Sequence, residues 1–277
     1  MTLIAGFVCP DGFVIAGDTE VTFEPIRIQE SKLIGSPGTD TAYRLVIGGA
    51  GDGAYLDEVM QEIRDKTSAL RKPTIAQVDR LIRKTLNRIH DENIFKHWEP
   101  GDENRPSIDL IVGLRDAEGK RCIWKSENKA VSKVVSYAFV GSGSVIASHV
   151  SEKLFRDGMP TAIVHHLASH IQREAKAKGA FVGGNTDTWS ILTKHAAPYF
   201  SISSTDQRYL WGLEEVLLSA TRCALSGRVD AVTKRLAFLA QRLTELQKDA
   251  KKPLEAQGDQ WHTIEIVRSE SHPFGDF

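Results

Sequence analysis

Runs of strand-like segments separated by pairs of consecutive helices constrain this chain more than anything else in it. Residues 2–9 and 13–18 are apolar and joined by Pro10-Asp11-Gly12. Proline presets φ and glycine accepts positive φ, so the two segments read as a hairpin. Residues 26–34 and 43–48 read as two more strands, with Gly35-Ser36-Pro37-Gly38 as the turn between them. Leu56, Val59, Met60 and Ile63 then recur at helical spacing. A second helix starts at Thr74, which forms a capping-box pattern with Gln77 and leads into an apolar face of Ile75, Val78, Leu81, Ile82, Leu86 and Ile89. Strands are predicted over 107–115, 120–126 and 133–140, helices over 143–157 and 160–178, and a strand over 187–194. Helices at about 206–225 and 228–250 follow. This order is not the strand-helix alternation of a parallel sheet. It predicts an α+β fold, a four-layer α/β/β/α sandwich in which helix pairs flank two stacked antiparallel sheets.

A chain of 277 residues can bury a substantial core. The expected organisation is a core over 2–200, a C-terminal helical extension over 201–250 and a tail over 251–277. Net charge is −1, so no basic surplus argues for nucleic acid. No apolar run approaches the ~18 residues of a membrane span, and the N-terminus lacks the pattern of a secretory signal. Cys9, Cys122 and Cys223 are few, odd in number and widely spaced. That fits a reducing cytoplasm and excludes a cysteine-rich zinc site. The glycines from Gly48 to Gly53 lack both phosphate-loop spacings, so no cofactor is expected. His166 and His170 sit four apart, next to His165, without an H-E-x-x-H pattern or an obvious third ligand. They read as a solvated helix face, and no metal is expected.

Thr2 follows the initiator Met1 directly and opens the first strand. Enzymes that trim initiator methionine accept a small next residue. Trimming would leave one residue carrying both a nucleophilic hydroxyl and its base, an α-amine with a pKa of roughly 7.7–8.0. Such a pair is an activated nucleophile near neutral pH. Asp18 ends the second strand and Lys32 lies in the third segment. Taken singly, Asp18 reads as a turn former and Lys32 as a solvated lysine.

The run Thr2-Leu3-Ile4-Ala5-Gly6-Phe7-Val8, continued by Asp11-Gly12-Phe13-Val14-Ile15-Ala16-Gly17-Asp18-Thr19, resembles the opening of proteasome β-type subunits. It is also similar to the peptidase subunit of the two-component ATP-dependent bacterial protease. The pattern continues at Ser31-Lys32-Leu33, at Gly48-Gly49-Ala50-Gly51-Asp52 and at Gly141-Ser142-Gly143, and the resemblance covers about residues 2–195. It implies the N-terminal-nucleophile hydrolase fold, whose four layers agree with the sandwich above. It implies roles as well. Thr2 aligns with the nucleophile, Asp18 and Lys32 with its flanking acid and lysine, Gly48 with the oxyanion donor, and Ser142 with the serine that bonds the amine. Val21, Glu30, Val46 and Ala50 align with pocket-lining positions. Where the family carries Asp-x-x-Ser before a Gly-Gly pair, this chain has Gly179 and Val182, which implies a divergent branch.

The expected function is therefore a cytoplasmic N-terminal-threonine peptidase working through an acyl-enzyme on peptide or protein substrates. Relatives work in closed rings, so the resemblance implies a homo-oligomeric ring, with an ATPase partner left open and no nucleic-acid or membrane partner. Two alternatives stand beside it. One is an inactive subunit kept for assembly or binding, consistent with Gly179 and Val182. The other is a non-proteolytic amidase on a small substrate.

Overall fold

A computed structural model describes residues 2–23, 26–36, 42–99, 102, 105–178, 182–193, 200–201 and 237. The chain divides into two compact units, Met1–Arg208 and Tyr209–Phe277. The helices expected at 206–225 and 228–250, the tail and Cys223 lie outside the described residues, residue 237 apart.

The first unit begins with the expected hairpin, β1 (Ile4–Cys9) and β2 (Gly12–Asp18). Next come β3 (Glu20–Phe23), β4 (Ile26–Gln29), β5 (Leu33–Gly35) and β6 (Arg44–Gly51). The helix pair is α1 (Gly53–Ala69) and α2 (Ile75–Ile89), and a single π turn, His90–Ile94, extends α2. Strands β7 (Ile108–Arg115), β8 (Arg121–Glu127), β9 (Ala130–Lys133) and β10 (Tyr137–Val140) follow. Then come α3 (Ser144–Leu154), α4 (Thr161–Lys178), β11 (Thr186–Leu192) and β12 (Phe200–Ser201). The Thr74 capping box is formed in full, so both partners satisfy orphan donors at the start of α2.

Two five-stranded antiparallel sheets result, ordered β10-β1-β2-β11-β12 and β5-β6-β7-β8-β9. Strand alternation sends Ile4, Phe13, Ile15, Val46, Ile111 and Ile123 into one core between the sheets. The opposite faces meet helices. Leu45, Ile47, Leu110 and Trp124 pack with residues of α1 and α2. Leu3, Ala5, Phe7 and Val14 pack with residues of α3 and α4. The architecture is the four-layer α/β/β/α sandwich. Full burial of an Ile, Leu or Phe contributes about 1.5–3 kcal/mol, and each core holds many such side chains. The sheets approach closely at two notches. A Cβ at Gly6 would sit 2.7 Å from Ile111 Cγ2, and one at Gly113 would sit 2.5 Å from Phe13 Cε2.

Several local expectations are corrected. The single strand expected over 26–34 is two, β4 and β5, broken at residues 30–32, and among the described residues β4 pairs with β3 alone, as a two-stranded ribbon. Strand β6, expected to end at residue 48, runs on to Gly51, and Gly49 leaves room for Leu56 and Met60 of α1 to pack on it. Strand β9 was not foreseen. It folds back on β8 through Asn128, whose positive φ of 52° is one that asparagine tolerates. No helix among the described residues is long and apolar enough to cross a membrane.

Candidate active site

Thr2 precedes β1 and is 8% exposed. The β1–β2 hairpin pairs Ile4 with Gly17, which carries the end of β2 beside the start of the chain. Asp18 is 0% exposed there. One of its oxygens, Oδ1, accepts the Leu3 N–H at 2.9 Å. The other, Oδ2, accepts the Lys32 ammonium at 2.9 Å and the Gly183 N–H at 3.4 Å. Lys32 comes from the break between β4 and β5, and its side chain is 10% exposed. Its Nζ also donates to Thr2 Oγ1 at 2.6 Å. One ammonium therefore bridges the threonine hydroxyl and a buried carboxylate. Burial pushes Lys32 below the usual lysine value, opposed by the charge and hydrogen bond of Asp18 and by Glu20.

The turn after β10 completes the surround. Ser142 Oγ accepts the Thr2 N–H at 3.3 Å and lies 3.4 Å from the Thr2 carbonyl, and the Gly143 N–H donates to that carbonyl at 3.3 Å. Thr2, Asp18, Lys32 and Ser142, distant in sequence, converge on one point. With Met1 attached, the Thr2 nitrogen is an amide. Its removal would make it an amine.

Gly48 does not join them as expected. In an antiparallel strand the N–H and C=O of a residue point to one side, and the side alternates along the chain. The Ser36 N–H donates to Leu45 O at 3.0 Å, so Leu45, Ile47 and Gly49 turn their main-chain groups toward β5. The Asp52 N–H donates to Ser107 O at 2.9 Å, so Gly48, of the same parity, turns toward β7, opposite Ile111. Gly48 is thus engaged within the sheet. Strand β5 begins at Leu33, opposite Gly48, so Gly49 is the first residue whose groups face the edge beside Lys32.

The expected pocket residues separate. Ala50 lines a cleft of about 710 Å³ that also borders Thr2 and Ser142. Val46 is 0% exposed and belongs to the core between the sheets, so it is not on an open pocket wall. Val21 lies on β3 opposite Ile28, and Glu30 is exposed just after β4, its N–H on Thr19 O at 2.9 Å. Neither lines that cleft. Its far wall is charged, with Asp109, Lys125 and Glu127. Lys125 pairs with Glu127 at 2.5 Å, and burial, with a contribution from Glu127, raises the Asp109 carboxyl. Sequence reading missed these three. Their signal was an acid near the start of apolar β7 and a lysine and an acid two apart on β8.

The histidine cluster is not one solvated face. His166 is exposed and His170 half-buried, but His165 is buried with Nδ1 2.7 Å from Ser190 Oγ. Burial, with the neighbouring His166 charge, pushes His165 down to about 4, so its ring is neutral at pH 7. Among the described residues no group of three or more histidine, cysteine or acidic side chains is placed to hold a metal ion. Val182, at the family's serine position, is buried in the core beneath α3 and α4, and Gly179 lies outside the described residues.

A four-layer sandwich with the chain's second residue held between a carboxylate, an ammonium and a serine defines a recognisable class. The sequence profile of the family described as proteasome subunit matches residues 2–191, and the chain belongs to that family. Among solved structures it is similar to Anbu from Hyphomicrobium sp. strain MC1, in its Gly-1 mutant form, with a TM-score of 0.66 at 16% identity, covering 82% of this chain and 97% of that one. It is similar also to Anbu (ancestral beta-subunit) from Yersinia bercovieri, with a TM-score of 0.64 at 13% identity, covering 80% and 97%. At such identities the likeness shows the shared fold, and it marks the chain as a divergent member. No curated protein matches it by sequence.

Proposed function

We propose that this chain is an N-terminal-threonine amidohydrolase acting on peptides once Met1 is removed. The observation that carries this is the Lys32 ammonium, 2.6 Å from Thr2 Oγ1 and 2.9 Å from the buried Asp18 carboxylate. Thr2 Oγ1 attacks the amide carbonyl carbon, and its proton passes to the freed α-amine. Lys32 keeps its proton and lowers the cost of negative charge on Oγ1, while Asp18 holds Lys32 charged and aimed. The Gly49 N–H, on the side of β6 that faces β5 and Lys32, takes the oxyanion in place of Gly48. Such a donor is worth about 2.7–4 kcal/mol of barrier. The α-amine then gives its proton to the leaving nitrogen, the C–N bond breaks, and an ester on Thr2 remains. Water hydrolyses that ester with the same amine as base. The family's oligomeric habit supports a homo-oligomeric ring enclosing these sites, and an ATPase that feeds it is one further partner the family suggests.

A threonine-directed epoxyketone tests the proposal. Intact mass should show loss of Met1 and an adduct on the wild-type chain, with none on Thr2→Ala. Retention of Met1, or no adduct, would favour a second reading supported by Val182, a subunit kept for assembly or binding. A small-substrate amidase would label in the same way but run as a monomer or dimer on sizing, where a degradation chamber requires a large particle.

A further inference from the structure

Two side chains of α4 reach the same hub from behind. Lys176 is half-buried, and its Nζ donates to Gly184 O at 2.9 Å, Asn185 O at 2.8 Å and Thr186 Oγ1 at 2.7 Å. An ammonium has three protons, and all three are used. The segment it grips is bonded to the end of β2. The Gly183 N–H donates to Asp18 Oδ2, and the Asn185 N–H donates to Thr19 Oγ1 at 2.8 Å. The Thr19 N–H returns to Asn185 O at 3.1 Å. One turn earlier on the same helix face, Gln172 is buried and its Nε2 donates to Leu3 O at 2.9 Å. That carbonyl also accepts the Asp18 N–H at 3.3 Å.

We infer that Lys176 and Gln172 are positioning residues that hold the Gly183–Thr186 segment and the start of β1 in register on Asp18, and so fix where Asp18 aims Lys32. The inference rests on the proposed role of Thr2. Gln172 sets the chain start, and Lys176 sets the segment that supplies the third hydrogen bond to the Asp18 carboxylate. Neither touches Thr2 Oγ1. Lys176 also brings a second positive charge to a region holding Asp18, Asp187, Glu20 and Lys32. Burial lowers it to about 8, so this grip weakens as pH rises through that value.

Amide hydrogen exchange on the full chain tests this without requiring catalysis. The comparison is wild type, Lys176→Met, and Lys178→Met, an exposed lysine on the same helix end paired with Glu174 at 2.5 Å. Lys176→Met should lower protection at the Gly183 and Asn185 amides by about tenfold or more, in line with the worth of charge-assisted hydrogen bonds. Wild-type protection should also decline between pH 7 and 9, a dependence that Lys176→Met lacks. Lys178→Met should change neither. Epoxyketone labelling of Thr2 should slow by about 10- to 100-fold in Lys176→Met, as small misplacements of supporting groups do. Wild-type protection at these amides in the Met variant, or equal loss in Lys178→Met, would overturn the inference. If wild type takes no epoxyketone, the proposed function fails while exchange still decides the role of Lys176. Should Lys176→Met not fold, Thr186→Val removes one of the three acceptors. A smaller loss at the same amides supports the inference, and no loss overturns it.

Discussion

A Cβ at Gly141 would sit 2.2 Å from the Thr2 carbonyl oxygen, and Gly141 has a φ of +91°. Both facts exclude a side chain where the turn after β10 presses on the chain start. Gly158 has nearly the same φ, +89°, with nothing within 4 Å of its missing Cβ. The pair separates backbone strain from contact. Gly158→Ala should cost about 1–2 kcal/mol, the left-handed penalty alone. Gly141→Ala should cost more, because backbone must move, and it should slow Thr2 labelling while Gly158→Ala does not. Urea unfolding and adduct mass read the two effects.

Removing one member of the Lys32–Asp18 pair should be worse than removing both. Lys32→Met leaves a fully buried carboxylate without its cation, which typically costs about 3–5 kcal/mol. Adding Asp18→Asn should return part of that stability and none of the labelling. If the single variant matches wild type in denaturant midpoint, the pair is not the buried ion pair described above.

Adjacent glycines on β6 should differ in exchange. The Gly48 N–H lies in the ladder with β7, whereas Gly49 faces the edge beyond the start of β5. The Gly48 amide should therefore be protected and the Gly49 amide should exchange readily. A peptide boronate on Thr2 should reverse this at Gly49 alone. Protection of Gly49 in the free protein, or a boronate response at Gly48, would return the oxyanion role to Gly48.

His165 should make stability fall in acid. Its ring is held neutral, with a pKa lowered from 6.5 to about 4, whereas the unfolded chain protonates near the unperturbed value. Between those limits the unfolded state binds more protons, so stability is lost as pH falls from 6.5 toward 4, by about 3 kcal/mol in all. His165→Asn should lack this component. Unfolding free energies at pH 7 and pH 4.5 for the two proteins isolate it from the carboxylates.

What the sequence conveyed depended on how local each cause was. The Pro10-Asp11-Gly12 hairpin and the Thr74–Gln77 cap are written in adjacent residues, and both formed. Thr2, Asp18, Lys32 and Ser142 were legible only as an ordered set of motifs, since each is ordinary alone. Strand β6 was read as ending at Gly48, the first of its glycines. Its continuation depends on Leu56 and Met60 packing from α1, which no local pattern encodes. Gly48 and Gly49 cannot be told apart by composition, because hydrogen-bond phase is set by a neighbouring strand. Val46 was assigned to a pocket by alignment, but β6 faces it into the core with Ile111. Lys176 looks like any lysine near a helix end. Its partners arrive eight to ten residues later.

The notches at Gly6 and Gly113 carry a consequence for how the protein tolerates change. Each large side chain, Ile111 or Phe13, is seated in a recess that only a hydrogen atom opposite leaves open. A methyl gained on one sheet must then be matched by bulk lost on the other, so a compensated double substitution such as Gly6→Ala with Ile111→Ala, which removes the Cγ2 that the new methyl would strike, should survive where Gly6→Ala alone fails. In distant relatives these positions should drift as couples, one from each layer.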